Sequence, residues 1–254
     1  VVDTSSLTAS QLDKQLTQWQ GQFSLDENRL WRVVYLTGYE DGSARLCFML
    51  HHLIIDAVSW RIIIDDMRLL LTGQVLSVKT SSYRQWVDTV NHYGEQNEEQ
   101  RDYWQAQLDK AAKVDYSACS ALAAHDTDNH TAHQTDYHLV WSQAVTAQLL
   151  HDAPKGYYTE INDLLLSALA LALSRTFMTT EVAMTLEGHG REDIDTRIDT
   201  TRTVGWFTTM FPLALSLKAA VSDVIIATKE ALRSIPDKGI GFGALGLATS
   251  ELPR

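Results

Sequence analysis

Residues 45–71 change hydrophobic period within a few positions, and that switch limits the folds open to the chain. RLCFML (45–50) is a short continuous apolar run behind the turn-like EDGS (40–43), the pattern of a buried strand. Beyond Asp56 the apolar residues Trp60, Ile63, Ile64, Met67 and Leu71 fall at i, i+3, i+4, i+7 and i+11, one face of a helix, with Gly73 placed to close it. HHLIIDAVSW (51–60) therefore bridges a strand end and a helix start. A second helical region is expected from Tyr83 to Lys110. The later half repeats this grammar: DYHLVW (136–141), EVAMTLE (181–187) and TTMFPLALSL (208–217) read as strands. NDLLLSALALALSRTF (162–177) reads as a buried helix with Asn162 or Asp163 near its cap, and SDVIIATKEALRSI (222–235) as a helix terminated by Pro236. Strands and amphipathic helices in both halves predict a mixed α/β chain.

A chain of 254 residues can bury a substantial core as one large domain or two modest ones. Its 21 basic against 32 acidic residues give a formal charge of -11, which argues against nucleic acid, whose backbone is gripped by clustered Lys and Arg. No run approaches the roughly 20 apolar residues of a membrane span, and LLLSALALAL (164–173) is too short, so no membrane partner is expected. No basic apolar leader is present and residue 1 is Val, so the start of translation is expected to lie outside this sequence. Cys47 and Cys119 lack paired metal spacing; both are expected reduced, in a cytoplasmic protein.

Four stretches carry candidate chemistry. In the first, an imidazole titrates nearest working pH, which makes His52 the natural base. The spacing to Asp56 lets the aspartate fix the loop or orient the histidine, while His51 points to the other face if strand alternation persists. A packed, hydrogen-bonded His52 is the competing reading, and a metal site is disfavoured because the spacing matches no helical or compact zinc pattern. In LEGHGRED (186–193), Gly188 and Gly190 flank His189 and free the backbone, and Glu187 ends a strand where a carboxylate can project. The plainer alternative is a tight turn with a solvated Glu187–Arg191 pair. In TVGWFTTMFPL (203–213), Gly205, Trp206 and Phe207 either line a tunnel or belong to the core. GFGALG (241–246) fits a dinucleotide pattern in letters, but follows a helix and Pro236 rather than a strand, so that reading fails. The small and polar segment 117–135 reads as a linker or mobile loop. Its His125, Asp126, Asp128, His130 and His133 are expected to be solvated rather than metal ligands.

Together these stretches resemble the epimerization domains of nonribosomal peptide synthetases, members of the condensation-domain superfamily with a chloramphenicol-acetyltransferase-like fold. HHLIIDAVSWRIIIDDM resembles the family's HHxxxD segment with its Ser-Trp continuation, LEGHGRE the glutamate motif that distinguishes epimerization domains, TVGWFTTMFPL the motif that follows, and IPDKGIGFGAL the later Pro-x-x-Gly-x-Gly-aromatic-Gly stretch. HHxxxD alone leaves condensation, cyclization and epimerization open; EGHGRE is the discriminator. The resemblance implies α+β two-layer lobes facing across a central tunnel. Residues 1–116 would belong to an N-terminal lobe and 136–254 to a C-terminal lobe, joined by 117–135. Two departures stand out. Ala57 replaces a glycine common after the aspartate, and both chain ends are expected to fall inside the family domain, the start beyond its opening strand and helix and the end short of its Asn-Tyr-Leu-Gly motif.

The resemblance also implies a reaction. The substrate is an aminoacyl or peptidyl thioester on the 4'-phosphopantetheine arm of a carrier domain in the same synthetase, with a downstream condensation domain as a further partner and neither a tightly bound cofactor nor a metal. His52 and Glu187 are the implied acid/base pair for inverting Cα. His51, Ser59, Trp60, His189 and Arg191 are supporting residues, Gly205, Trp206 and Phe207 line the tunnel, and Asp56 braces the loop by pairing with Arg61 or Arg191. Two alternatives stay open: an amide-forming condensation domain, and a non-catalytic fragment that docks a carrier.

Overall fold

The computed structural model describes residues 1–116 and 138–247. The chain packs as two compact units: unit 1 comprises Val1–Thr89 with His189–Thr208, and unit 2 comprises Val90–Gly188 with the chain from Thr209 onward. This division is interleaved in sequence, whereas the expected lobes are continuous stretches.

In unit 1, β1 (Val2–Asp3) runs parallel to β2 (Trp31–Thr37), which pairs antiparallel with β3 (Arg45–Leu50), Val33 opposite Phe48 and Val34 opposite Cys47. RLCFML is thus a strand as expected, but of its residues only Met49 is buried. Strand alternation puts Val34, Leu36 and Met49 on one buried face, where Leu12, Leu16 and Trp19 of α1 (Ala9–Gln20) cover them at i, i+4 and i+7. Thr8 caps α1: its hydroxyl accepts the Gln11 N–H at 3.3 Å, while the Gln11 side chain accepts the Thr8 N–H at 2.8 Å. On the sheet's other face Trp31, Val33, Tyr35 and Leu46 are exposed.

After a 3-10 turn (His52–Ile54), α2 (Ala57–Leu71) follows as expected, but its buried residues are Ser59 and Ile62. Ile64 and Leu71, on the apolar face read from the sequence, are 54% and 77% exposed. Periodicity located the helix, and the side it buries carries a polar residue, Ser59, beside Ile62. Gly73 does adopt the left-handed φ of +73° just beyond the helix end.

The expected helical region from Tyr83 to Lys110 is two helices, α3 (Tyr83–Gln96) and α4 (Gln100–Ala111), and the division between units falls within α3. Residues 138–141 do not form the expected strand, and Leu139 and Val140 stand exposed. Residues 136–137, the linker expected over 117–135 and Cys119 lie outside the described residues.

Unit 2 continues with α5 (Gln143–Ala147), a π turn (Gln148–Asp152), α6 (Ala153–Tyr157) and α7 (Ile161–Phe177). Glu160 is the N-cap of α7, and Asp163 lies near the cap as expected: three residues in, its carboxylate accepts the Glu160 N–H at 2.8 Å. Then β4 (Glu181–Gly188) and β5 (Thr209–Ser216) form an antiparallel pair, Met184 opposite Leu213, Glu187 opposite Met210 and Gly188 opposite Thr209. All of β5 from Phe211 to Leu215 is buried, consistent with its unbroken apolar run. Next come α8 (Val221–Arg233), a 3-10 turn (Pro236–Gly239) and α9 (Ile240–Ala244), which takes in the first four residues of GFGALG. Trp104 of α4, Val182, Leu213, Val224 and Phe242 are fully buried at the centre of unit 2. Among the described residues no helix is long and apolar enough to cross a membrane.

Candidate active site

In unit 1 the two histidines have different surroundings. His51 N–H donates to the Leu30 carbonyl at 2.7 Å, and His51 Nδ1 accepts the Leu53 N–H at 3.1 Å, so this ring is fixed by its own turn. It also meets Phe23 edge to face, with ring centroids 6.1 Å apart. His52, the first residue of the 3-10 turn, is exposed and has the Trp206 ring edge-on, centroids 6.1 Å apart.

Asp56 holds this turn and the start of α2 together. It is the helix N-cap, its carboxylate accepting the Ser59 N–H at 2.6 Å and the Phe207 N–H at 3.2 Å. Of the two candidate arginines, Arg191 is the partner, with Nη2 3.2 Å from Asp56 Oδ2 and both side chains less than 10% exposed. That guanidinium also donates to Ser59 Oγ at 3.0 Å and to the carbonyls of Thr200 and Thr203 at 2.7 and 2.8 Å, and lies 3.7 Å from the centre of the Phe207 ring. Arg191 is thereby engaged in a buried network rather than in the plainer solvated turn pair.

Burial alone would raise the Asp56 carboxyl, but hydrogen bonds from Ser59 and Phe207 and the Arg191 charge outweigh it and hold Asp56 below the ordinary carboxylate value. Burial pushes the Arg191 guanidinium down, against the pull of Asp56. Ser59 completes the knot: its hydroxyl donates to the Gly205 carbonyl at 2.9 Å and accepts the Gly205 N–H at 3.1 Å. Gly205 has to be glycine, since a Cβ there would lie 2.3 Å from the Tyr83 ring. Tyr83 in turn donates its hydroxyl to the Trp206 carbonyl at 2.5 Å and stacks edge-on against Phe207.

Asp56, Ser59, Arg191, Gly205 and Phe207 are thus brought together, with His52 and Trp206 alongside. Trp60 lies elsewhere, in an apolar groove of about 450 Å³ with Leu46, Phe48, Ile63 and Met67. His189 Nε2 is 3.2 Å from Glu192, and its Nδ1 accepts the Arg191 N–H at 3.0 Å, while Gly190 takes the positive φ expected of the glycine-flanked turn. Ala57 opens α2 and is not among the residues with positive φ, so its replacement of glycine imposes no strain. Sequence reasoning missed Tyr83 and Thr203; the contact of Tyr83 with Gly205 spans more than a hundred residues, and no local pattern announces it.

In unit 2, Glu187 is the penultimate residue of β4, exposed, and its side chain has no hydrogen bond or ion pair among the described residues. No cluster of His, Cys, Asp or Glu among the described residues has the arrangement of a metal site.

Residues 1–252 match the condensation domain family. The chain belongs to that family. Its relatives include the N-(5-amino-5-carboxypentanoyl)-L-cysteinyl-D-valine synthase of Amycolatopsis lactamdurans, 36% identical over 99% of this chain, and bacitracin synthase 1 of Bacillus licheniformis, 39% identical over 84%. The chain spans 7% of the first and 4% of the second. Among solved structures, the epimerization domain from the third module of tyrocidine synthetase B matches with a TM-score of 0.70 and 30% identity, covering 99% of this chain and 57% of that one. The first condensation domain of the calcium-dependent antibiotic synthetase matches at 0.55 and 16% identity, covering 96% of this chain and 56% of that one, which establishes the shared fold alone. The α/β condensation-domain fold expected from the motifs is the fold of this chain.

Proposed function

We propose that this condensation-family domain epimerizes the Cα of an aminoacyl or peptidyl thioester, L to D, with His52 and Glu187 handling the proton. The thioester carbonyl acidifies the Cα–H bond, so the reaction needs an acid and a base rather than a redox cofactor. Inversion requires a proton taken from one face of Cα and another delivered to the opposite face. His52 supplies an exposed imidazole, a side chain suited to acid and base work, and the Asp56–Arg191 knot fixes the turn that presents it. Glu187 supplies the second proton-handling group.

The observation that carries this reading is the unpaired, exposed Glu187 carboxylate at the end of β4, inside the EGHGRE stretch. A condensation domain, which joins an amine to a thioester, leaves that carboxylate without a task. Similarity to the tyrocidine epimerization domain supports the same choice. Under this reading the chain forms parts of two lobes, residues 1–116 and 136–254, in a cytoplasmic nonribosomal peptide synthetase. The substrate arrives on the 4'-phosphopantetheine arm of a carrier domain, and a downstream condensation domain takes the product.

The test is Cα deuterium uptake and the D/L ratio of an aminoacyl-carrier thioester in D₂O. The parent chain should exchange and invert, and His52→Ala and Glu187→Gln should each lose about 10²- to 10⁴-fold, the usual worth of a positioned acid or base. Amide formation between two loaded carriers without Cα exchange would instead support condensation, and carrier binding with neither reaction would support a docking role.

A further inference from the structure

The 3-10 turn at Pro236–Gly239 in unit 2 carries three successive residues in left-handed conformation: Asp237 at φ 39°, Lys238 at φ 53° and Gly239 at φ 92°. Two of them are not glycine, and L-residues with a Cβ disfavour this region, so something must hold the turn. Tyr93, buried on α3, donates its hydroxyl to the Asp237 carboxylate. The Gln100 amide at the start of α4 donates to the same hydroxyl at 2.7 Å and to Asp237 at 3.3 Å. Burial, followed by the hydrogen bond to Asp237, pushes the Tyr93 hydroxyl well above its ordinary pKa, which keeps it a donor.

Both helices that supply the clamp are seated closely. A Cβ on Gly94 would lie 2.4 Å from the Ala244 carbonyl oxygen, and one on Gly241 would lie 2.1 Å from Gln100 Oε1. The held turn then bears on the β4–β5 end. A Cβ on Gly239 would lie 2.0 Å from the Phe211 ring, and one on Gly188 would lie 3.5 Å from the Lys238 carbonyl oxygen and 2.8 Å from Thr209 Oγ1. Phe211 is the register partner of Leu186, and Gly188 directly follows Glu187.

We infer that Tyr93, Gln100 and Asp237 are positioning residues: they lock a left-handed turn whose backbone seats the last rungs of β4 and β5 and so fixes where the Glu187 carboxylate stands. This rests on the role proposed for Glu187, but its structural half can be measured separately.

The experiment compares Tyr93→Phe, Asp237→Ala and Asp237→Asn by amide hydrogen exchange and by the Cα deuterium assay. Tyr93→Phe and Asp237→Ala should raise exchange at 186–188 and 209–211 about tenfold, the worth of one lost hydrogen bond, leaving the far rung at Val182 and Leu215 unchanged. Asp237→Asn should stay near the parent, because asparagine keeps an acceptor oxygen and tolerates the left-handed region. In the Cα assay the first two variants should lower kcat with KM unchanged. Unchanged amide exchange, or a uniform rise across the whole of β4 and β5, would overturn the inference. A parent chain that binds carrier without Cα exchange would sink the epimerase reading, and the local amide pattern would then still decide the positioning claim.

Discussion

The two units bury different things. Unit 2 closes on a continuous apolar core in which Trp104, Val182, Leu213, Val224 and Phe242 have no exposed surface. Unit 1 has a small apolar cluster of Val34, Leu36 and Met49, and besides Ile55, Ile62, Trp86 and Phe207 it buries an ionic group: Asp56, Arg191 and the Ser59 hydroxyl. An apolar core degrades by degrees when atoms are removed, because neighbours relax into the space. An ion-paired centre fails abruptly, because removing one member leaves the other charged and dry. The unit that carries the HHxxxD turn is therefore the one whose packing depends most on a few polar atoms.

The largest effect should come from stranding the arginine. Asp56→Ala should cost about 3–5 kcal/mol, the range for breaking a buried pair by deleting one partner. Urea denaturation followed by amide exchange at 57–71 and 200–207 checks it, and a loss below about 1 kcal/mol, the worth of an exposed pair, would break the contrast between units. Leu213→Ala in the unit 2 core should cost about 2–5 kcal/mol, read from the urea midpoint, with loss of exchange protection in Val182 and Leu215 first. Ser59→Ala should cost about 1–3 kcal/mol, since both Gly205 backbone groups and one Arg191 donor lose their buried partner. If it were neutral, the knot would be an ion pair alone.

The smallest effect is a pH dependence with a definite sign. The Asp56 carboxyl is depressed in the folded state, so its contribution is fully present above the unfolded value of about 3.9 and is lost as pH falls through the folded value. Thermal melts between about pH 5 and 2 should therefore steepen for the parent relative to Asp56→Asn in that acid window. Identical slopes would remove Asp56 from the acid response.

Much of this architecture was legible because strands and helices announce themselves locally. The strand at 45–50, the turn through the histidines and the helix after Asp56 stand where the change of period put them. What failed did so for physical reasons. Apolar periodicity picks out the face with Ile64 and Leu71, which are exposed, and cannot detect a buried hydroxyl such as Ser59. The break between α3 and α4 at Asn97–Glu99 contains neither glycine nor proline, so helical propensity continues through it. The arginine paired with Asp56 was narrowed to Arg61 or Arg191; the choice depends on a contact across 135 positions, which no local pattern encodes. Tyr93 and Asp237 were missed for the same reason, although Asp237 sits in the quoted IPDKGIGFGAL stretch.

The pairing of Gly188 with Thr209 has a consequence in polymer terms. The segment 189–208 leaves the β4–β5 ladder and returns to it on a single rung, so the ladder holds its two ends together. Closing that loop adds only a logarithmic penalty with length, about 0.6 kcal/mol for each doubling. Insertions near exposed Thr196 and Arg197 should thus be thermodynamically mild, while the ends of the same loop, Gly190 through Arg191 and Thr203 through Phe207, have almost no freedom to change length. Variation in a loop of this kind belongs in its middle.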